Sequence, residues 1–149
     1  MVKNNTLILG VGNTYRKDDG VGPAIIALLQ NNKRSGVDYL DGGVDGLALI
    51  DIISLYSKVI IIDAVDMKTP PGTVKLFSPS DVRLQIKSDA LSTHGFGLAE
   101  VIKLIEQLDV KTLLQIIGIQ PQDISFGEGL SEVIEKQVQR IIKLVDDVL

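Results

Sequence analysis

Apolar residues follow two rhythms along this chain, and the rhythms alternate. Short, largely apolar segments of strand length occupy residues 6–11, 37–41, 59–62 and 112–119, and the run at 59–62 is unbroken. Between them, apolar positions recur at helical spacing: Val21, Ile25, Leu28 and Leu29, then Leu98, Val101, Ile102 and Ile105, then Val133, Ile134, Val138, Ile141, Ile142 and Val145. Unbroken runs suit parallel strands covered on both faces, and the 3.6-residue period marks amphipathic helices. The pattern predicts helices over 23–30, from a cap at Asp45 to about 55, over 97–108 and over 131–148. A short edge strand is expected at 74–77, and one turn of helix about 81–84 in the polar, irregular stretch 78–92. Alternating strands and helices predict a single α/β domain over residues 1–149. Its expected form is a three-layer α/β/α sandwich around a twisted, mainly parallel sheet of about five strands.

Composition narrows what such a domain can do. A chain of 149 residues can bury roughly 70% of its unfolded surface, and an apolar content of 45% supplies a core. Aromatics make up only 4% and Trp is absent, so the core is built from Ile, Leu and Val. A surface that stacks nucleic-acid bases is not expected. The net charge of −4 comes without a basic cluster, which argues against binding a phosphate backbone and leaves a basic partner peptide acceptable. With no cysteine, disulfides, thiolate metal ligands and a Cys nucleophile are excluded. Met1-Val2-Lys3-Asn4-Asn5 holds no apolar leader core, and no apolar run exceeds strand length. A soluble, cytoplasmic protein without membrane insertion is therefore expected.

Most of the candidate chemistry follows the first strand, in Gly10-Val11-Gly12-Asn13-Thr14-Tyr15-Arg16-Lys17-Asp18-Asp19-Gly20-Val21-Gly22. The strand ends at the first glycine and a helix begins near the last. Two acids therefore stand at the C-terminal edge of the sheet, where open α/β sheets bind their ligands. A dinucleotide fingerprint fails on spacing: its third glycine would fall at Tyr15, and acids at a helix start repel a pyrophosphate. A phosphate loop fails too, because no Gly-Lys-Ser/Thr follows. The glycines read as turn-makers. Either acid can cap the helix, and Pro23 fits its first turn; Asp18 is favoured as the cap, which leaves Asp19 as the favoured ligand.

Asp63 follows four β-branched residues at the mouth of a central strand. A carboxylate there costs desolvation unless it is paired or liganded, with a turn-forming role as the plain alternative. His94 is the single histidine and lies just before a helix, after Ser92 and Thr93. Two carboxylates and one imidazole at strand ends and helix starts make a three-ligand set for a borderline divalent ion, with positions left for water or substrate. A Ser–His–Asp triad is disfavoured, since Ser92 is only two residues from His94 and no Gly-x-Ser-x-Gly elbow occurs.

With those residues in view, the chain resembles the hydrogenase maturation endopeptidases, closest to the branch serving formate hydrogenlyase-type and energy-converting hydrogenases. The likeness rests on Leu9-Gly10-Val11-Gly12-Asn13, Asp18-Asp19-Gly20-Val21-Gly22-Pro23, Asp41-Gly42-Gly43, and Ile62-Asp63-Ala64-Val65-Asp66-Met67. It continues through Pro71-Gly72, Ser92-Thr93-His94, Gly118-Ile119-Gln120-Pro121, Gly127 and Leu130-Ser131, in order along nearly the whole chain. Arg16, Lys17 and Gly95-Phe96 depart from the family pattern and bear on rim contacts and partner choice.

The resemblance implies metal-binding and catalytic positions at Asp19, Asp63 and His94, with the Gly42-Gly43 turn lining the same cleft. It implies an endopeptidase that cuts a nickel–iron hydrogenase large-subunit precursor once, after nickel insertion, and releases a C-terminal extension. The cut would follow a basic or His residue just beyond a Cys-x-x-Cys pair. The implied cofactor is a divalent metal, nickel presented by the substrate, with a resting enzyme that is metal-free or weakly loaded; a monomer is expected. Three roles stay open: the ion polarising the scissile carbonyl, the ion activating water, and Asp19 or Asp63 acting as general base. Two other readings stay open as well. One is a spore germination protease-like peptidase of the same fold, which the full-length order of motifs argues against. The other is a non-catalytic nickel-binding maturation factor.

Overall fold

The computed structural model describes residues 5–44, 46–81 and 98–149. Five strands, β1 (Thr6–Gly10), β2 (Val37–Asp41), β3 (Lys58–Ala64), β4 (Val74–Phe77) and β5 (Leu113–Ile119), form one sheet in the order β2-β1-β3-β5-β4. The first four positions in that order are mutually parallel, and β4 closes the edge antiparallel to β5. The helices are α1 (Val21–Leu29), α2 (Gly46–Ile53), α3 (Leu98–Gln107), α4 (Glu132–Glu135) and α5 (Val138–Val148). The expected α/β/α sandwich with a mainly parallel five-stranded sheet is the fold that forms. Among the described residues no helix is long and apolar enough to cross a membrane.

Side chains alternate across each strand, and the two resulting faces collect different helices. Ile8, Ile60, Ile62 and Ile117 pack with Val21, Ile25 and Ile26 of α1 and with Ile141 and Val145 of α5. Leu7, Leu9, Ile61 and Ile116 pack with Leu49 and Ile53 of α2 and with Ile102 and Ile105 of α3. Consecutive β3 residues are thus buried on opposite faces, which is why that run has no polar interruption until Asp63. β1 lies between β2 and β3. Chain order reverses there, so the C-terminal ends of β1 and β3 flank the switch point where such sheets bind ligands.

Several boundaries move by one or two residues, and two differences from the sequence reading go further. Asp63 lies inside β3 rather than just after it, because β5 runs on to pair Asp63 with Gly118 and Ala64 with Ile119. The helix expected over 131–148 is broken between α4 and α5. Gln137 N–H donates to the Ile134 carbonyl (2.9 Å), a three-residue step, before Ile141 N–H returns to the four-residue bond with Gln137 (2.9 Å). A single tight turn of this kind is a small perturbation. Ile134, Val138, Ile141 and Val145 stay buried across the break, so the apolar stripe reads as one continuous helix. Residues 79–81 are helical, but the rest of the turn expected about 81–84 lies outside the described residues, as do the Asp45 cap and the side chains of Leu98 and Val101.

Candidate active site

The loop after β1 is shaped by close backbone contacts that only glycine permits. A Cβ on Gly22 would stand 2.4 Å from the Ile62 carbonyl oxygen and 2.6 Å from that of Val11, so α1 begins directly on the ends of β1 and β3. Gly12 has φ of 145°, and a Cβ there would stand 1.9 Å from the Asp19 carbonyl oxygen. The loop therefore folds back on itself. Lys17–Gly20 forms a 3-10 turn that packs against β3. Neighbouring loops are tied in by Val11 N–H to the Ile62 carbonyl (3.0 Å), Gly42 N–H to that of Gly10 (2.8 Å) and Gly12 N–H to that of Gly43 (2.9 Å). The Gly42-Gly43 turn thus borders the same edge.

Asp19 and Asp63 come to this edge by different routes. Asp19 sits on the 3-10 turn, 0% exposed, and its Oδ2 accepts the Asn13 N–H (3.1 Å). Asp63, 1% exposed, is the residue after Ile62, the partner of Gly10 in the β1–β3 ladder. Two carboxylates buried at one sheet edge fit a divalent cation, whose charge offsets the cost of taking them out of water. Their oxygens are suitable donors. Among the described residues no three His, Asp or Glu side chains form a metal-binding group. His94 lies outside the described residues, with Ser92 and Thr93.

Asp18 has a different role from the one expected. The N-cap of α1 is Gly20, and no side chain caps it. The 3-10 turn that holds both acids ahead of the helix carries the Asp18 carboxylate to a distant loop. It accepts N–H groups of Gln122 (2.9 Å), Asp123 (3.0 Å) and Ser131 (2.7 Å), and the Ser131 hydroxyl (2.7 Å). Ser131 is the N-cap residue of α4. Asp18 therefore ties down the start of a helix, but one 113 residues away. No local signal marks this.

The same loop is clipped to the β1 loop along its length. Lys17 N–H donates to Gly127 (3.0 Å), Gly127 N–H to Tyr15 (2.9 Å), Asp18 N–H to Asp123 (3.0 Å), and Arg16 Nε to Ile124 (3.1 Å), each at a carbonyl oxygen. Lys17 Nζ pairs with Asp123 at 3.0 Å. The Ser125 hydroxyl and amide, and then Lys17, pull the Asp123 carboxyl down to about 2. Arg16 and Lys17 are fastened in this clip. Tyr15 and Phe126 project from it, 65% and 87% exposed. A groove of about 280 Å³ beside it is lined by Thr14, Tyr15, Lys17, Gly20, Glu128 and Leu130.

Gln120 is a second residue whose role was not read from sequence. It is 9% exposed. Its Oε1 accepts Met67 N–H (2.6 Å) and the Thr69 hydroxyl (3.3 Å), and its Nε2 donates to Asp66 (3.4 Å). It holds the loop that leaves β3 just past Asp63. An amide directly after the apolar end of a strand, at Ile116-Ile117-Gly118-Ile119-Gln120, was the available signal.

The fold is shared with a class of α/β endopeptidases. The hydrogenase maturating endopeptidase HybD from E. coli superposes with a TM-score of 0.80 at 26% identity, covering 95% of this chain and 89% of that one. The [NiFe] hydrogenase maturation protease HybD from Thermococcus kodakarensis gives 0.79 at 30% identity, covering 97% and 98%. This chain belongs to the hydrogenase maturation protease family, whose HycI model matches residues 23–147. The match takes in Asp63 and His94 and begins after Asp19. The hydrogenase expression/formation protein HupD of Thiocapsa roseopersicina is 33% identical over 142 residues, 93% of this chain. The chain spans 64% of the length of that relative.

Proposed function

We propose that this chain is an endopeptidase that removes the C-terminal extension of a nickel–iron hydrogenase large-subunit precursor after nickel has been inserted. The observation that supports it is the placement of two buried carboxylates, Asp19 and Asp63, on either side of the switch point between β1 and β3. Membership of the maturation protease family supports the reaction class. In this reading the nickel ion belongs to the substrate. Asp19 and Asp63 offer it oxygen donors and His94 an imidazole, so a precursor without nickel lacks the charge that makes the carboxylates a docking point. Recognition and readiness for cleavage are then the same event. The resting protein is metal-free or weakly loaded; tight, stoichiometric zinc after purification without added metal would overturn that.

The test is to incubate the protein with nickel-loaded and nickel-free precursor and to follow release of the extension by mass spectrometry. Cleavage of the loaded form alone is expected, and equal cleavage of both rejects nickel gating. Nickel-dependent binding without cleavage would make the chain a non-catalytic maturation factor instead. Asp63→Asn and His94→Ala are expected to abolish processing while thermal unfolding stays cooperative.

A further inference from the structure

We propose that Asp18 is a positioning residue: its buried carboxylate locks the 122–131 loop to the turn that carries Asp19, and so holds the Asp19 carboxylate at the sheet edge. This rests on the endopeptidase reading above. Asp18 is 0% exposed, and its two oxygens receive four donors, three backbone N–H groups and one hydroxyl. A carboxylate offers about four lone-pair sites. Three donors converge on Oδ2 and the Ser131 N–H reaches Oδ1, so the protein bonds both oxygens of a fully buried group. Asp18 is adjacent to the candidate site without belonging to its reacting set.

The coupling to Asp19 is direct. The two residues share a peptide group, and Asp19 is held on its far side by the Gly12 contact and the Asn13 N–H. The loop on the other side of the lock has no regular structure of its own between β5 and α4, so its place depends on what it is bonded to. Hydrogen bonds to an ionised acceptor are roughly twice as strong as neutral ones. Here one charge gathers donors from Gln122, Asp123 and Ser131 at once. Asn in place of Asp18 keeps the shape but turns an NH₂ group toward either the Ser131 N–H or the other three donors. No rotamer satisfies all four.

The experiment compares wild type with Asp18→Asn, Ser131→Ala and Asp19→Asn as full-length proteins. Cleavage of nickel-loaded precursor is measured below the unfolding midpoint of each variant, alongside amide hydrogen exchange. For folded Asp18→Asn the maximal rate is expected to fall on the order of a hundredfold, the scale of an ångström-level misplacement. The precursor concentration for half-maximal rate rises as well, because Asp19 also docks the nickel, while the shape of the pH profile stays as in wild type. Amides of 15–19 and 122–131 lose protection together while those of β3 keep it. Ser131→Ala removes one donor of the four and gives a smaller loss of the same kind; it decides the matter if Asp18→Asn does not fold. A wild-type rate in folded variants that have lost this protection would reduce Asp18 to a stabilising residue and overturn the proposal. A pH profile that loses one limb in Asp18→Asn would make it a reacting group and overturn it equally. If wild type leaves the precursor uncut, the endopeptidase reading fails, and unchanged exchange at 15–19 in Asp18→Asn would separately refute the lock.

Discussion

Gly22→Ala sets two forces of opposite sign against each other. Gly22 is the second residue of α1, and in a helix Ala is favoured over Gly by up to about 1 kcal/mol. Local preference alone therefore predicts a gain. The structure predicts a loss. The new Cβ would meet the Ile62 oxygen at 2.4 Å and the Val11 oxygen and nitrogen at 2.6 and 2.7 Å. All are backbone atoms held in place by the sheet, and none can rotate away. Restoring an ordinary separation of about 3.5 Å lifts the start of α1 by roughly 1 Å, and a gap of that size forfeits a quarter to a half of a contact's dispersion energy.

The side chains that lift with it are Val21, Ile25 and Ile26, none more than 1% exposed, each worth about 1.5–3 kcal/mol of burial. After the helix-propensity gain, the expected net loss is about 2 kcal/mol, within the usual range for overpacking. In a chain this long that lowers the melting temperature by about 4–8 °C. Urea unfolding followed by circular dichroism measures it, as a lower midpoint at unchanged slope. A midpoint equal to or above wild type would refute the close-approach argument.

Gly12→Ala places a Cβ 1.9 Å from the Asp19 carbonyl oxygen at a φ of 145°; cleavage of loaded precursor is expected to fall at least about tenfold even where the protein is folded, since ångström-scale displacement of a reacting group carries that penalty or more. Tyr56 donates to Asp38 at 2.7 Å, and burial first, then Asp38, push its pKa from 10.0 to about 12. The raised folded-state value means that this stabilisation is fully present below pH 10 and is lost as pH rises through 12. Tyr56→Phe should remove that alkaline slope in unfolding midpoints measured across this window, and an unchanged slope would count against it.

Much of the architecture is legible residue by residue, because strand and helix periods are properties of neighbouring positions. The unbroken run before Asp63 is readable as a doubly covered central strand, and β3 is that strand. The short run at 74–77 is readable as an edge, and β4 is the edge. Asp19 and Asp63 stand out for the same reason: each is a charge placed where an apolar element meets a glycine turn or a strand mouth. The break between α4 and α5 leaves no such trace, since the buried stripe runs through it unaltered.

Taken alone, the order of residues determines an α/β chain with acids at the C-terminal edge of its sheet, and points to Asp19, Asp63 and His94. Only the tertiary structure decides what the neighbours of those acids do. Asp18 and Asp19 are adjacent and chemically identical, yet one is bonded to Gln122, Asp123 and Ser131 and the other turns to the Asn13 amide. Likewise, Gly12 and Gly22 look like ordinary turn glycines until the backbone atoms beside them are placed. The physical reason is common to both. Periodicity and propensity act between neighbours, whereas hydrogen-bond partners more than a hundred residues apart and contacts shorter than a Cβ allows exist only once the chain has folded back on itself.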